Sequence, residues 1–237
     1  MQLAVRNTDI ELMDNPNLEI HELKKVFKDI NRVNNLLGGS KISLRELWKL
    51  IKESPKISYT ILDMGCGDGF MLRKAALFLR KKNISANLIG LDLREDILSI
   101  AREASKDFPE ISYKKQNVLL LKPDKFQCDI LLCTLTMHHF NNEEIATFLK
   151  KFISISKLGI VINDLQRNKL ACYLFKVFRF FFLRTSIAKK DGLTSIKSGF
   201  LKTELQEFAK KIPNVIHKIE WKWAFRYVWV IQTNRLT

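Results

Sequence analysis

The chain has 237 residues, 46% of them hydrophobic, and carries 40 Lys plus Arg against 25 Asp plus Glu, a net charge of +15. That length and composition fit one globular domain with an appendage and exclude wholesale disorder. No uncharged apolar run approaches the roughly 18–20 residues of a spanning helix. The early acids Asp9, Glu11 and Asp14 leave no apolar leader, and Cys66, Cys128, Cys133 and Cys172 form no CxxC pair, so a reducing, cytoplasmic protein is expected.

Apolar residues at helical spacing predict a helix over residues 17–36, stopped by Gly38-Gly39. A second helix over 43–53 is read as opening on a Ser43 cap. Residues 1–55 are therefore expected to form a helical cap. From Ser58 the rhythm alternates: strand Tyr59–Met64, helix Phe70–Lys82, strand Asn87–Leu93, helix Glu95–Ser105, strand Ile111–Gln116, strand Cys128–Leu135, helix Glu143–Phe152, and a strand within Ile153–Asp164. Apolar strands alternating with helices predict an α/β fold, a parallel sheet covered on both faces. After a helix over Phe200–Lys211, Val215–Glu220 and Phe225–Gln232 read as an antiparallel pair. Residues 165–199 break this rhythm and read as an insertion within a domain spanning 56–237.

Between the first strand and its helix stands Asp63-Met-Gly65-Cys66-Gly67-Asp68-Gly69. Glycine there lets a ligand approach the backbone, and the helix that follows points its N–H groups at it. The dinucleotide pattern GxGxxG fails, because Phe70 stands at its third glycine. Asp63 at the strand end repels a pyrophosphate but accepts from an ammonium, which favours a ligand with an amino-acid end. Asp92 closes the second strand, where a carboxylate suits ribose hydroxyls. An adenosine-type cofactor with an amino-acid tail describes S-adenosylmethionine (SAM).

On these residues the chain resembles the class I SAM-dependent methyltransferases. The resemblance implies a Rossmann-like seven-stranded sheet with a C-terminal antiparallel strand pair, a helical N-terminal cap and a helical insertion after strand five. It places Asp63, Gly65, Cys66, Gly67 and Gly69 in the first cofactor motif, Asp92 with Leu93 in the second, Asn117 and Val118 beside adenine, and Thr134 at the end of strand four. Asn117 replaces the Asp often found there, a departure that an amide can accommodate. Glu11–Asp14, Val161–Arg167, Asp191–Phe200 and Trp221–Arg226 further resemble a bacterial subgroup of ubiquinone/menaquinone type that accompanies type III polyketide synthases. That implies a phenolic or quinol acceptor, often alkylated.

Methyl transfer to a hydroxyl needs an aligned nucleophile and a base. His138-His139 follow strand four and Asp164 ends strand five. If these strands are neighbours, their ends lie about 5 Å apart. His138 is expected as base, with Asp164 orienting it and His139 as second choice, an arrangement similar to that of small-molecule O-methyltransferases. Transfer is expected to be direct and metal-free. A zinc set of Cys133, His138 and His139 is set aside, as is arsenic chemistry, because Cys128 and Cys133 stand five apart and should face opposite sides of one strand. Thr134-Leu-Thr-Met137 lacks the Asn/Asp-Pro-Pro-aromatic signature of adenine or amide methylation.

The charge is uneven. Residues 59–164 hold 15 basic and 13 acidic residues, whereas 165–203 hold 9 basic and 1 acidic. In that insertion Phe175, Phe178, Phe181 and Phe182 are expected to share much of one helical face. One reading is a lid over an oily acceptor. Another is a helix over 170–190 that touches an anionic membrane, with Lys176, Arg179, Arg184, Lys189 and Lys190 near headgroups. Nucleic acid is disfavoured, since no appended RNA-binding module is recognisable. The expected function is O-methylation of a lipophilic phenolic or polyketide-derived small molecule. C-methylation of such a ring, RNA methylation and an inactive SAM- or lipid-binding module are the alternatives.

Overall fold

The computed structural model describes residues 3–233. Seven strands form one sheet in the order β3-β2-β1-β4-β5-β7-β6: β1 Ser58–Met64, β2 Ser85–Asp92, β3 Ile111–Lys115, β4 Cys128–Thr134, β5 Ser156–Leu165, β6 Ile216–Lys222 and β7 Arg226–Gln232. The first five run parallel, and β7 pairs antiparallel with both β5 and β6. The helices are α1 Ile20–Leu36, α2 Gly39–Glu53, α3 Phe70–Arg80, α4 Glu95–Ala104, α5 Asn142–Ile155, α6 Lys169–Phe182, α7 Ser186–Ser198 and α8 Lys202–Lys210.

The apolar strands β1 and β4 are buried because helices cover both faces. Leu62, Met64, Leu131 and Ile160 pack with α5 and α8 through Phe148, Phe152, Leu205 and Phe208. Ile61, Ile130, Leu132 and Val161 pack on the other face with α2 and α3 through Leu47, Leu50, Leu72 and Ala75.

Two expectations are corrected. First, α2 opens at Gly39, not at Ser43. Gly38 ends α1 at φ 73°, and the chain re-enters helix at once. Ser43 is thus buried within the helix, where its hydroxyl accepts from Asn163 Nδ2 at 2.9 Å. Second, Cys128 and Cys133 join the same core face. The β4–β5 ladder is irregular where Cys128 enters β4: two residue steps from Cys128 to Ile130 oppose three from Ser156 to Gly159, so the extra residue lies on β5. The insertion folds as two helices, and Phe175, Phe178, Phe181 and Phe182 of α6 all border one cavity, as their spacing predicts. Phe175 and Phe178 turn inward and Phe178 stacks on Phe182 at 4.2 Å, while Phe181 is 78% exposed.

The carboxyl ends of the parallel strands meet beneath α1, α6, α7 and the N-terminal segment. Polar clamps hold this roof. Asp29 on α1 accepts from Arg184 N, Thr185 N and Thr185 Oγ1 at the α6–α7 turn. Asp191 on α7 accepts from the amides of Leu12 and Met13. Arg6 donates to the carbonyls of His138, Phe140 and Ser198. Among the described residues no helix is long and apolar enough to cross a membrane.

Candidate active site

Under this roof lies a cavity of about 1260 Å³, lined among others by Asp63, Gly67, Asp92, Asn117, His138, Phe178 and Arg226. One drug-sized ligand occupies roughly 300–1,000 Å³, so the volume suits two molecules at once. Asp63, Gly65, Cys66, Gly67, Asp92, Leu93, Asn117, Val118 and Thr134 all line it, as do His138 and His139. Gly69 does not, and Asp164 lies behind His138.

The glycines serve the fold more directly than the sequence suggested. Gly65, Gly67 and Gly69 have φ of 67°, 53° and 74°, conformations costly for other residues. A Cβ on Gly67 would meet the Phe27 ring of α1 at 2.9 Å, and one on Gly69 would meet the Tyr113 hydroxyl at 1.9 Å. Protein side chains therefore close over the turn on the sides that glycine leaves open. The turn is also tied to the second strand, because Gly67 N donates to Asp92 Oδ2 at 3.0 Å.

Asp63 is buried, and burial, reinforced by the charge of Asp92, pushes its carboxyl up to about 8. A carboxyl so disfavoured as an anion gains most from a neighbouring ammonium. Burial also raises Asp92, against the backbone N–H donors of Arg94 and Gly67. Asn117 Oδ1 accepts from Leu119 N and caps a short turn over Val118–Leu120, which holds both residues at the rim of the cavity.

The second half of the cavity centres on His138. After β4, Leu135 takes φ 54° and the chain makes a single 3₁₀ turn over Met137–His139. This aims His138 at the end of β5, where its Nδ1 lies 2.7 Å from Asp164 Oδ1 and its backbone N–H donates to Asp164 Oδ2 at 3.1 Å. Nε2 is buried, makes no hydrogen bond among the described residues, and stands 3.5 Å from Glu11 Oε1. Burial pulls the imidazole towards neutrality, but the carboxylates of Asp164 and then Glu11 outweigh it and raise its pKa to about 10. Burial likewise opposes the charges of Asp164 and Glu11, and His138 overrides it to hold both below the usual carboxylate range.

Sequence reasoning paired His138 with Asp164 but assigned no role to Glu11 or Asp14. Glu11 also accepts from Ser195 on α7, and His139 Nδ1 lies 3.3 Å from Asp14 Oδ2. The acids lie more than 120 residues from the histidines, so only the fold joins them. Their clue was the Glu11–Asp14 segment within the resemblance. Glu11, His138 and His139 each bring a ligand atom within 4.8 Å of the others, close enough to share a divalent ion. Cys133 is not in this group and packs in the core.

The strand order, the glycine turn and the acid ending β2 together define a class I methyltransferase fold. Residues 61–159 match the family model described as a methyltransferase domain. None of the curated proteins matches the chain in sequence. Among solved structures, the plantazolicin methyltransferase BpumL in complex with S-adenosylhomocysteine (SAH) is similar at 15% identity, over 94% of this chain and 92% of that one, with a TM-score of 0.69. The magnesium protoporphyrin IX methyltransferase ChlM from Synechocystis PCC 6803, with bound SAH, is similar at 12% identity over 82% and 83%, with a TM-score of 0.56. The CurJ carbon methyltransferase is similar at 13% identity over 82% of this chain and 54% of that one, with a TM-score of 0.60. At these identities the likeness is one of fold. Residues 61–159 thus match a methyltransferase domain, and the rest of the chain shares the fold of these methyltransferases.

Proposed function

We propose that this protein transfers a methyl group from SAM to the oxygen of a lipophilic phenolic or polyketide-derived small molecule. One observation carries the reading: an imidazole fixed at Nδ1 by a buried carboxylate has its Nε2 without a hydrogen bond, 3.5 Å from Glu11 Oε1, and lines an apolar cavity that begins at a SAM-type glycine turn. Asp63 would take the ammonium of the cofactor, Asp92 the ribose hydroxyls, and Asn117 with Val118 the adenine edge. SAM supplies an activated methyl group on a sulfonium.

The acceptor hydroxyl meets His138 Nε2 and gives up its proton there. That oxygen would then be free to take the methyl group that SAM would supply, with SAH as the product. Asp164 and Glu11 stabilise the imidazolium that results. The same carboxylates keep His138 protonated near neutrality. Transfer therefore depends on losing that proton and quickens as pH rises towards 10. His138→Ala is expected to lower turnover by roughly two to four orders of magnitude on a panel of alkylphenols. Turnover unchanged by that substitution would refute the base role. Methylation of ring carbon alone would replace O- with C-transfer.

The acceptor side also supports a lipophilic substrate. Tyr173, Leu174, Val177, Phe178, Phe181 and Phe182 of α6 line the cavity. Phe180 on α6 is 70% exposed and Phe181, at the rim of the cavity, is 78% exposed, in a segment where Lys176 and Arg184 are exposed too. We infer that this segment rests on an anionic bilayer, from which an oily acceptor passes into the cavity.

A further inference from the structure

Arg226 opens β7 and is 3% exposed, yet among the described residues its guanidinium makes no hydrogen bond and no ion pair. Its Nε and Nη1 are buried without a partner, and the side chain lines the cavity. A buried, unpaired cation costs several kcal/mol, so native structures pair such groups or let a ligand do so. Asp164 is the nearest acid acting on it electrostatically, but it does not serve as that partner. Its Oδ1 faces His138 Nδ1 and accepts from Leu165 N, and its Oδ2 accepts from His138 N. The fold makes room for the group. A Cβ on Gly39 would lie 2.9 Å from Arg226 Cζ and 1.9 Å from Asn34 Oδ1. Gly39 thus clears the space that both side chains use.

We propose that Arg226 is a carboxylate-binding subsite of the acceptor half of the cavity. Resting on the methyl-transfer reading, this makes the acceptor an aromatic hydroxy acid rather than a neutral phenol. A guanidinium is planar and matches a carboxylate through two parallel hydrogen bonds. Position separates the two carboxylates that could reach it. Arg226 pairs with Leu165 of β5, next to the strand that bears Asp164. The glycine turn follows β1, three strands away in the sheet, or about 14 Å at roughly 4.8 Å per strand. The amino-acid end of the cofactor belongs to that distant turn. The acceptor, with its hydroxyl at His138, lies within reach of Arg226.

The test uses full-length protein, with and without SAH, and two probes measured by calorimetry: an alkylsalicylate and the alkylphenol that lacks its carboxylate. Wild type is expected to bind the acid at least thirtyfold more tightly. Arg226→Gln is expected to bring the two to equal affinity and leave SAH binding unchanged. If the variant instead weakens SAH but not methylthioadenosine, which has no carboxylate, Arg226 serves the cofactor and the acceptor subsite is overturned. Equal binding of acid and phenol by wild type, with SAH unaffected in the variant, overturns the proposal. Arg226→Met separates ligand binding from folding, because removing an unpaired buried charge should leave the free protein melting no lower than wild type. A steep fall in melting temperature with ligand affinities intact would make Arg226 structural and also overturn it. Wild type failing to bind SAH would count against the methyl-transfer reading, while the acid–phenol comparison without SAH still tests Arg226.

Discussion

Glu11→Gln is the most direct perturbation of the site, because it removes one of the two carboxylates around His138 and changes almost nothing else in size. A rise of the His138 pKa from 6.5 to about 10 corresponds to about 5 kcal/mol in favour of the imidazolium. Asp164, in contact at 2.7 Å, supplies the larger share. Glu11 at 3.5 Å can supply at most about 5 kcal/mol at an effective dielectric near 20, and burial offsets part of the total. Glu11→Gln should therefore lower the His138 pKa by about one to two pH units. The assay is a nuclear magnetic resonance titration of the His138 ring, run beside the pH profile of kcat/KM. The titration midpoint and the alkaline rise of the profile should move down together.

Stability gives the same group a second readout. Because the folded-state pKa is raised, the contribution of His138 is fully present below pH 6.5 and is lost as pH rises through about 10. Wild type should lose melting temperature across that window, and Glu11→Gln should lose less of it. Titration of His138 near 6.5 in wild type, or a midpoint that ignores the substitution, would refute the reasoning.

Three further outcomes are expected. Asp92→Asn should weaken SAH binding by about tenfold or more, since it removes a charged acceptor for ribose and for Gly67 N, and calorimetry beside a melting curve distinguishes this from unfolding. Phe180→Ser with Phe181→Ser should cut recovery on anionic vesicles by roughly a hundredfold, at about 1.5–3 kcal/mol per inserted ring, and flotation that persists unchanged would mean that α6 is only a lid. Dialysis against a chelator should leave turnover unaltered. A loss restored by a divalent ion would instead place that ion on Glu11, His138 and His139.

Much of the fold is legible in the chain because local and tertiary forces agree there. β1 and β4 are apolar runs too short for helices, and the helices between them carry one apolar stripe each. Boundaries are less legible where a single residue changes the geometry. Gly38 permits a left-handed turn that starts α2 four residues before the expected Ser43 cap. Cys128 enters β4 at an irregularity of the β4–β5 ladder, and counting along one strand cannot foresee that it joins the core cluster of Cys133. Phe175, Phe178, Phe181 and Phe182 share the cavity side as their spacing predicts, but no pattern within α6 records that Phe181 stays 78% exposed where the neighbouring helices stop.

The site divides in the same way. Asp63, the glycines and Asp92 can be read from sequence because each sits at the end of a strand followed by a turn, a place the chain marks locally. His138 and Asp164 follow from the rule that adjacent parallel strands bring their carboxyl ends together. Glu11 and Arg226 stood only within segments of the resemblance, and nothing in the sequence assigned them a role. One comes from the N-terminal segment and the other from the last strand, and neither is near the histidines in sequence. Charge alone labels both as ordinary surface residues. Tertiary packing buries them in one cavity, where desolvation turns an acid into a partner for an imidazolium and leaves an arginine awaiting an anion.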